Sequence, residues 1–111
     1  MEWNPQAFEI GDLVLESGEV IEDCRVSACI LGMDQPIRTV LTTASIAGTH
    51  RRLDFLIGPG RALDTDRYRI IATDALGNGL SSSPSNSTAQ PGTGFPGFTI
   101  RDMVESQAVL L

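Results

Sequence analysis

"YRIIATDALGNGLSSSPSN", residues 68–86, is the stretch whose reading decides the fold. Its first part, Tyr68 to Thr73, places apolar residues side by side instead of alternating them. That is the pattern of a parallel strand covered on both faces. The part that follows, from Asp74 to Asn86, crowds glycine and serine around Pro84. A strand that runs straight into such a loop invites two chemical readings, a phosphate cradle and a nucleophile turn. Gly77 and Gly79 match the start of a dinucleotide fingerprint, but Ser82 occupies the third glycine position. The fingerprint also needs a helix at once, so that its amides and dipole face the pyrophosphate. Pro84 and further loop residues stand in the way. A P-loop requires a lysine, and the chain has none.

The nucleophile reading asks for G-x-S-x-G on a tight strand-to-helix turn. Gly79-Leu80-Ser81 supplies the first half, and Ser83 stands where the second glycine belongs. The only imidazole in the chain is His50, separated from this loop by a strand. The reading that remains is a Ser/Gly/Pro loop held by side-chain-to-backbone hydrogen bonds.

Outward from this stretch, Phe8, Ile10, Leu13 and Leu15 mark a first strand, and Gly18 a turn. "CRVSACI", residues 24–30, then alternates apolar and polar positions like a strand buried mainly on one side. The two form a hairpin, and "GMDQP" turns the chain again. "IRTVLTTAS", residues 37–45, is a β-branched third strand. Arg52 to Ile57 reads as a short helix stopped by Gly58-Pro59-Gly60. After Tyr68–Thr73 a long loop runs to about Phe98. The last segment is the clearest helix: Thr99 and Asp102 form a capping-box pair, and Ile100, Met103, Val104, Ala108 and Leu111 recur at helical spacing. The sequence stops on "AVLL", which reads as a helix whose apolar face lacks a partner.

Composition narrows the function classes. At 111 residues the chain is one small domain, and 41% apolar content is that of a folded protein. A net charge of −6 argues against nucleic-acid binding. No apolar run approaches the roughly 20 residues of a membrane span. The start lacks the basic and apolar regions of a signal peptide, so a cytoplasmic location is expected. If residues 24–30 are a strand, Cys24 and Cys29 lie about 16 Å apart on opposite faces. They read as two buried thiols, not a disulfide. His50, with no second His and no nearby Cys, does not suggest a metal site. The sequon Asn86-Ser87-Thr88 carries little weight without a secretory signal.

"IGPGRALDTDRY" at residues 57–68, "GNGLSSSPSN" at 77–86 and "FPGFTIRDMVESQAVLL" at 95–111 together resemble the homoserine O-acetyltransferase family of the α/β-hydrolase superfamily. The resemblance covers essentially the whole chain. It implies the N-terminal part of an α/β-hydrolase fold: a β-hairpin, then parallel strands with crossover helices, in an incomplete sheet. It also implies a partial domain over residues 1–111, truncated before the nucleophile elbow, with no member of the Ser-His-Asp triad present. The family's loop after the third strand resembles "TTASIAGTH". Its best matches for the backbone oxyanion-hole donors are Ile46 and Ala47, with His50 in the same active-site loop. Where homoserine acetyltransferases typically read His-Ala-Leu-Thr-Gly, this chain keeps an aliphatic residue and the last glycine, closer to a hydrolase-like branch.

The expected function is that of an N-terminal fragment of an acyltransferase or hydrolase, inactive alone. No cofactor or metal is expected, although acetyl-CoA would serve as acyl donor for an intact transferase. The expected partner is the missing C-terminal part of the fold. One chain of a split enzyme and a non-catalytic binding module are the alternatives.

Overall fold

A computed structural model describes residues 3–32, 34, 36–43 and 48–111. Its elements are β1 (Gln6–Val14), β2 (Val20–Gly32), β3 (Arg38–Thr42), the two-residue strands β4 (Ile57–Gly58) and β5 (Leu63–Asp64), β6 (Tyr68–Thr73) and α1 (Ile100–Ala108). The main sheet has the order β1-β2-β6-β3, and β4 and β5 pair separately. Two compact units divide the chain. One comprises Met1–Gln6 with Ala28–Asp74, the other Ala7–Ser27 with Ala75–Leu111.

In the first of these units β6 is the central strand. It runs parallel to β3, with Val40 opposite Ile70, and antiparallel to the end of β2, with Cys29 opposite Ala72. Ile70 to Thr73 are all buried, as the contiguous apolar run requires. Cys29, Leu31, Ile57, Ile70 and Ala72 form the core, flanked by Trp3, Val40, Leu53, Leu63 and Tyr68. Gly32 ends β2 at φ +97°, and a Cβ there would stand 2.1 Å from the Tyr68 carbonyl oxygen. Only glycine fits so close a backbone approach.

Two expectations are corrected here. The helix read over Arg52–Ile57 is a single 3₁₀ turn, Asp54–Leu56, with no side-chain cap, and Ile57 already belongs to β4. Six residues before a Gly-Pro-Gly stop are too few to repay helix nucleation, so the chain takes one tight turn and then extends. Among the described residues the β3-to-β6 crossover therefore carries no α-helix. The third strand is shorter than "IRTVLTTAS", running from Arg38 to Thr42, and lies at the sheet edge. Ala44 and Ser45 of that stretch, and Met33 and Gln35 of the expected turn, lie outside the described residues.

The other unit opens with the β1–β2 hairpin. Leu15 N–H donates to the Glu19 carbonyl at 2.8 Å, and Gly18 takes φ +87° in the turn. Strand alternation slips by one residue in both arms. Ile21 and Cys24 are both buried with Glu22 and Asp23 exposed between them, and Asp23 adopts φ +47°. In β1 the slip falls between Ile10 and Leu13, at Gly11 with φ +77°. The Asp12 carboxylate accepts the Asp23 N–H at 3.0 Å, which fixes the two irregularities side by side. Such paired bulges kink a ribbon and increase its twist. Further along β2, Val26 to Cys29 are all buried whereas Ile30 is 47% exposed. The simple one-sided alternation expected for residues 24–30 is therefore not kept. Cys24 and Cys29 are free buried thiols in different apolar clusters, as expected.

Helix α1 begins with the capping box read from the sequence. Asp102 N–H donates to Thr99 Oγ1 at 3.2 Å, and Thr99 N–H donates to Asp102 Oδ2 at 2.8 Å. The second carboxylate oxygen accepts the Glu16 N–H at 2.9 Å, so one side chain also ties α1 to the hairpin. The face that packs is polar: Asp102, Ser106 and Gln107 are buried, with Met103 against the core. The apolar stripe lies outward, Ile100 at 79% and Val104 at 60% exposed.

Burial alone would raise the Asp102 pKa. The Thr99 and Glu16 amides, the Thr99 hydroxyl and Arg101 outweigh it and hold the carboxyl below its ordinary value. A carboxylate whose folded pKa is depressed stabilises the fold above its unfolded pKa of about 3.9, and that contribution is lost as pH falls through the folded value. Thermal melts followed by circular dichroism should therefore lose stability below about pH 4. Asp102→Asn should melt lower at neutral pH and show a smaller acid-dependent loss. An unchanged acid limb in that variant would refute the assignment.

Candidate functional site

Strands β3 and β6 are parallel neighbours, and the residues just beyond their carboxyl ends meet in space. In parallel α/β sheets this is where ligands bind. Asp74 follows β6 directly and is wholly buried. Its Oδ1 accepts the His50 backbone N–H at 2.7 Å, and its Oδ2 lies 2.9 Å from His50 Nδ1. Because a carboxylate accepts and does not donate, the ring hydrogen sits on Nδ1. Nε2 has no hydrogen-bond partner among the described residues, and the His50 side chain as a whole is 8% exposed. Trp3 stacks beside the ring, with centroids 6.4 Å apart and planes at 28°, and the Arg51 guanidinium lies 5.4 Å from the Trp3 ring centre. Thr73 Oγ1 donates to the Thr42 carbonyl at 2.9 Å, binding the ends of the two strands together.

The sequence singled out His50 as part of this loop but missed its partner. Asp74 is one of many scattered acidic residues, and nothing local marks it. The available signal was positional: each residue follows one of two strands that turn out to be parallel neighbours. Ile46 and Ala47, the expected oxyanion-hole donors, lie outside the described residues.

Ser81, Ser82 and Ser83 do something other than attack: they bond backbone groups. Ser81 Oγ accepts the Ser27 N–H at 2.9 Å and is fully buried. Ser82 Oγ accepts the Arg25 N–H at 2.8 Å, while Ser82 N–H returns to the Arg25 carbonyl at the same distance. Ser83 Oγ donates to the Ser81 carbonyl at 2.7 Å and accepts the Gly79 N–H at 2.8 Å. Asn78 and Asn86 close the remaining loop amides and carbonyls, Asn86 Nδ2 donating to Ser81 O at 2.9 Å. The loop thus satisfies β2 backbone groups that have no strand beside them. Ser81→Ala would leave the buried Ser27 N–H unpaired, a loss of about 1–3 kcal/mol. Urea unfolding should show that loss, and an unchanged midpoint would contradict the structural role.

The two thiols are not activated. Burial pushes Cys29 up and the Asp74 charge adds to it against the opposing Arg51, while burial raises Cys24 against a hydrogen bond from Ser82. Among the described residues no cluster of three or more His, Cys, Asp or Glu could hold a metal ion. No described helix is long and apolar enough to cross a membrane.

No family model matches the chain. Individual proteins do. It is 36% identical over 110 residues to an ethyl acetate hydrolase of Pseudomonas veronii, covering 96% of this chain and 32% of that protein. It is 38% identical over 120 residues to a homoserine O-acetyltransferase of Symbiobacterium thermophilum, covering 89% of this chain and 31% of the other. Among solved structures, the acetyl esterase MekB superposes with a TM-score of 0.87 at 35% identity, over 97% of this chain and 32% of its own. The chain thus spans about a third of the length of the relatives it matches. It carries an incomplete α/β-hydrolase sheet and resembles the N-terminal third of the homoserine O-acetyltransferase family of that superfamily.

Proposed function

We propose that the chain is the scaffold segment of a serine hydrolase acting on acetyl esters of small alcohols. Its loop after β3 would supply oxyanion-hole amides from Ile46 and Ala47. The triad would come from the remainder of the fold, on the same or a complementary chain. The observation that carries this reading is the similarity to an ethyl acetate hydrolase over 96% of the chain, at 36% identity. The loop chemistry supports it: Ser81, Ser82 and Ser83 are all buried and committed to backbone groups, so none of these three is placed to attack. Hydrolysis is favoured over acetyl-CoA-dependent transfer, because "TTASIAGTH" lacks the His-Ala-Leu-Thr-Gly pattern of the transferases. A cytoplasmic location fits the same reading.

A chimera tests it. Residues 1–111 joined to the missing two thirds of the Pseudomonas veronii relative should hydrolyse ethyl acetate and show little transfer from acetyl-CoA to homoserine. Replacing the nucleophile supplied by the added portion should abolish turnover, whereas Ser81→Ala should lower stability and leave kcat within about threefold. A folded chimera that hydrolyses no acetyl ester would overturn the proposal.

A further inference from the structure

The 77–86 loop carries an Asn78-Gly79 pair, a chemical weak point that the scaffold role does not account for. Asparagine followed by glycine is open to spontaneous deamidation, because no Cβ shields the glycine nitrogen from the side-chain amide carbon. Water reaches the pair: Gly79 and Leu80 are exposed and Asn78 is half-buried. Burial therefore does not guard it, and hydrogen bonds hold both reacting groups instead. The Gly79 N–H donates to Ser83 Oγ at 2.8 Å. Asn78 Oδ1 accepts the Leu80 N–H at 2.9 Å and the Ser81 N–H at 3.1 Å, which turns the side-chain amide toward the later residues of the loop. Ser83 Oγ is itself fixed, since it donates to the Ser81 carbonyl at 2.7 Å. Gly79 sits at φ +93°, so the turn that needs glycine also creates the reactive pair.

We propose that Asn78 is a deamidation site whose reaction is controlled by the hydrogen bond from Gly79 to Ser83. The reaction starts when the Gly79 nitrogen gives its proton to solvent base, the same step that amide hydrogen exchange requires. An amide bonded within the fold takes that step only from a locally opened state. The nitrogen then attacks Asn78 Cγ, a C–N bond forms, the Cγ–Nδ2 bond breaks and ammonia leaves with a proton from water. Water opens the resulting succinimide at either carbonyl, giving aspartate or isoaspartate. In sum, one side-chain amide and one water become a carboxyl group and ammonia. Aspartate at 78 keeps an oxygen for the Leu80 and Ser81 amides. Isoaspartate adds a methylene to the main chain and pulls Ser81 and Ser82 away from the β2 groups they bond. Ser83 is thus a guard for the same loop that fastens β2, and this holds whether or not the chain serves a hydrolase.

The test is peptide mass spectrometry of the purified chain aged at neutral pH, with isoaspartate confirmed by enzymatic methyl labelling. A free peptide of residues 74–86 gives the unprotected rate. The folded chain should deamidate at Asn78 at least about tenfold more slowly than the peptide. Ser83→Ala should raise the rate about fivefold or more, the factor that one lost hydrogen bond gives to a local opening. Asp102→Asn, which loosens α1 and leaves the loop bonds in place, should change it less than about twofold. A folded chain that deamidates at the peptide rate overturns the proposal. So does a Ser83→Ala rate equal to that of the wild type or matched by Asp102→Asn, the last assigning the reaction to global unfolding. Should Ser83→Ala fail to fold, the wild-type chain in low urea decides. Exchange of the Gly79 amide and deamidation of Asn78 should rise together, and deamidation that stays constant while exchange accelerates refutes the control by that bond.

Discussion

The arrangement of the first unit depends on the burial of β6. A strand covered on both faces has no water for its backbone, so each edge must find another strand. The tail of β2 satisfies one edge in the antiparallel sense and β3 the other in the parallel sense. The parallel pairing brings the ends of β3 and β6 together and lets Asp74 reach His50. A buried carboxylate is costly unless its oxygens are bonded, and His50 provides both a backbone amide and a ring nitrogen for that purpose.

In the other unit, short polar side chains replace missing secondary structure. Ser81 and Ser82 pair with β2 as a strand would, and Gln90 Oε1 accepts the Glu22 N–H at 3.0 Å while its Nε2 donates to Val20 O at 2.8 Å. Asp102 serves two ends at once, the start of α1 and the Glu16 amide. Directional hydrogen bonds of this kind explain how a long loop between β6 and α1 holds one conformation with few apolar residues in it. They also explain why α1 docks by its polar side and leaves Ile100 and Val104 exposed.

The legible features were those with local causes. The contiguous apolar run of β6, the hairpin turn at Gly18 and the Thr99–Asp102 cap each follow from neighbours within a few residues, and each is found where it was read. The short helix at Arg52–Ile57 failed because apolar spacing over six residues cannot separate a helix from one 3₁₀ turn. The alternation over residues 24–30 failed because Ser27 and Cys29 are covered too, Ser27 by its bond to Ser81 and Cys29 by the core around Ile57 and Ile70. The apolar stripe of α1 was correctly located, but its direction was set by the carboxylate that anchors the helix.

The sequence by itself determined the contiguous apolar strand of β6, the cap and the family resemblance. Each of those rests on residue identity and spacing along the chain. Only the tertiary structure decided that Asp74 belongs to His50, 24 positions away, and that Ser81 and Ser82 are fasteners for β2. A hydrogen bond between strand ends is a product of the sheet pairing, and no periodicity along the chain encodes which two ends will meet.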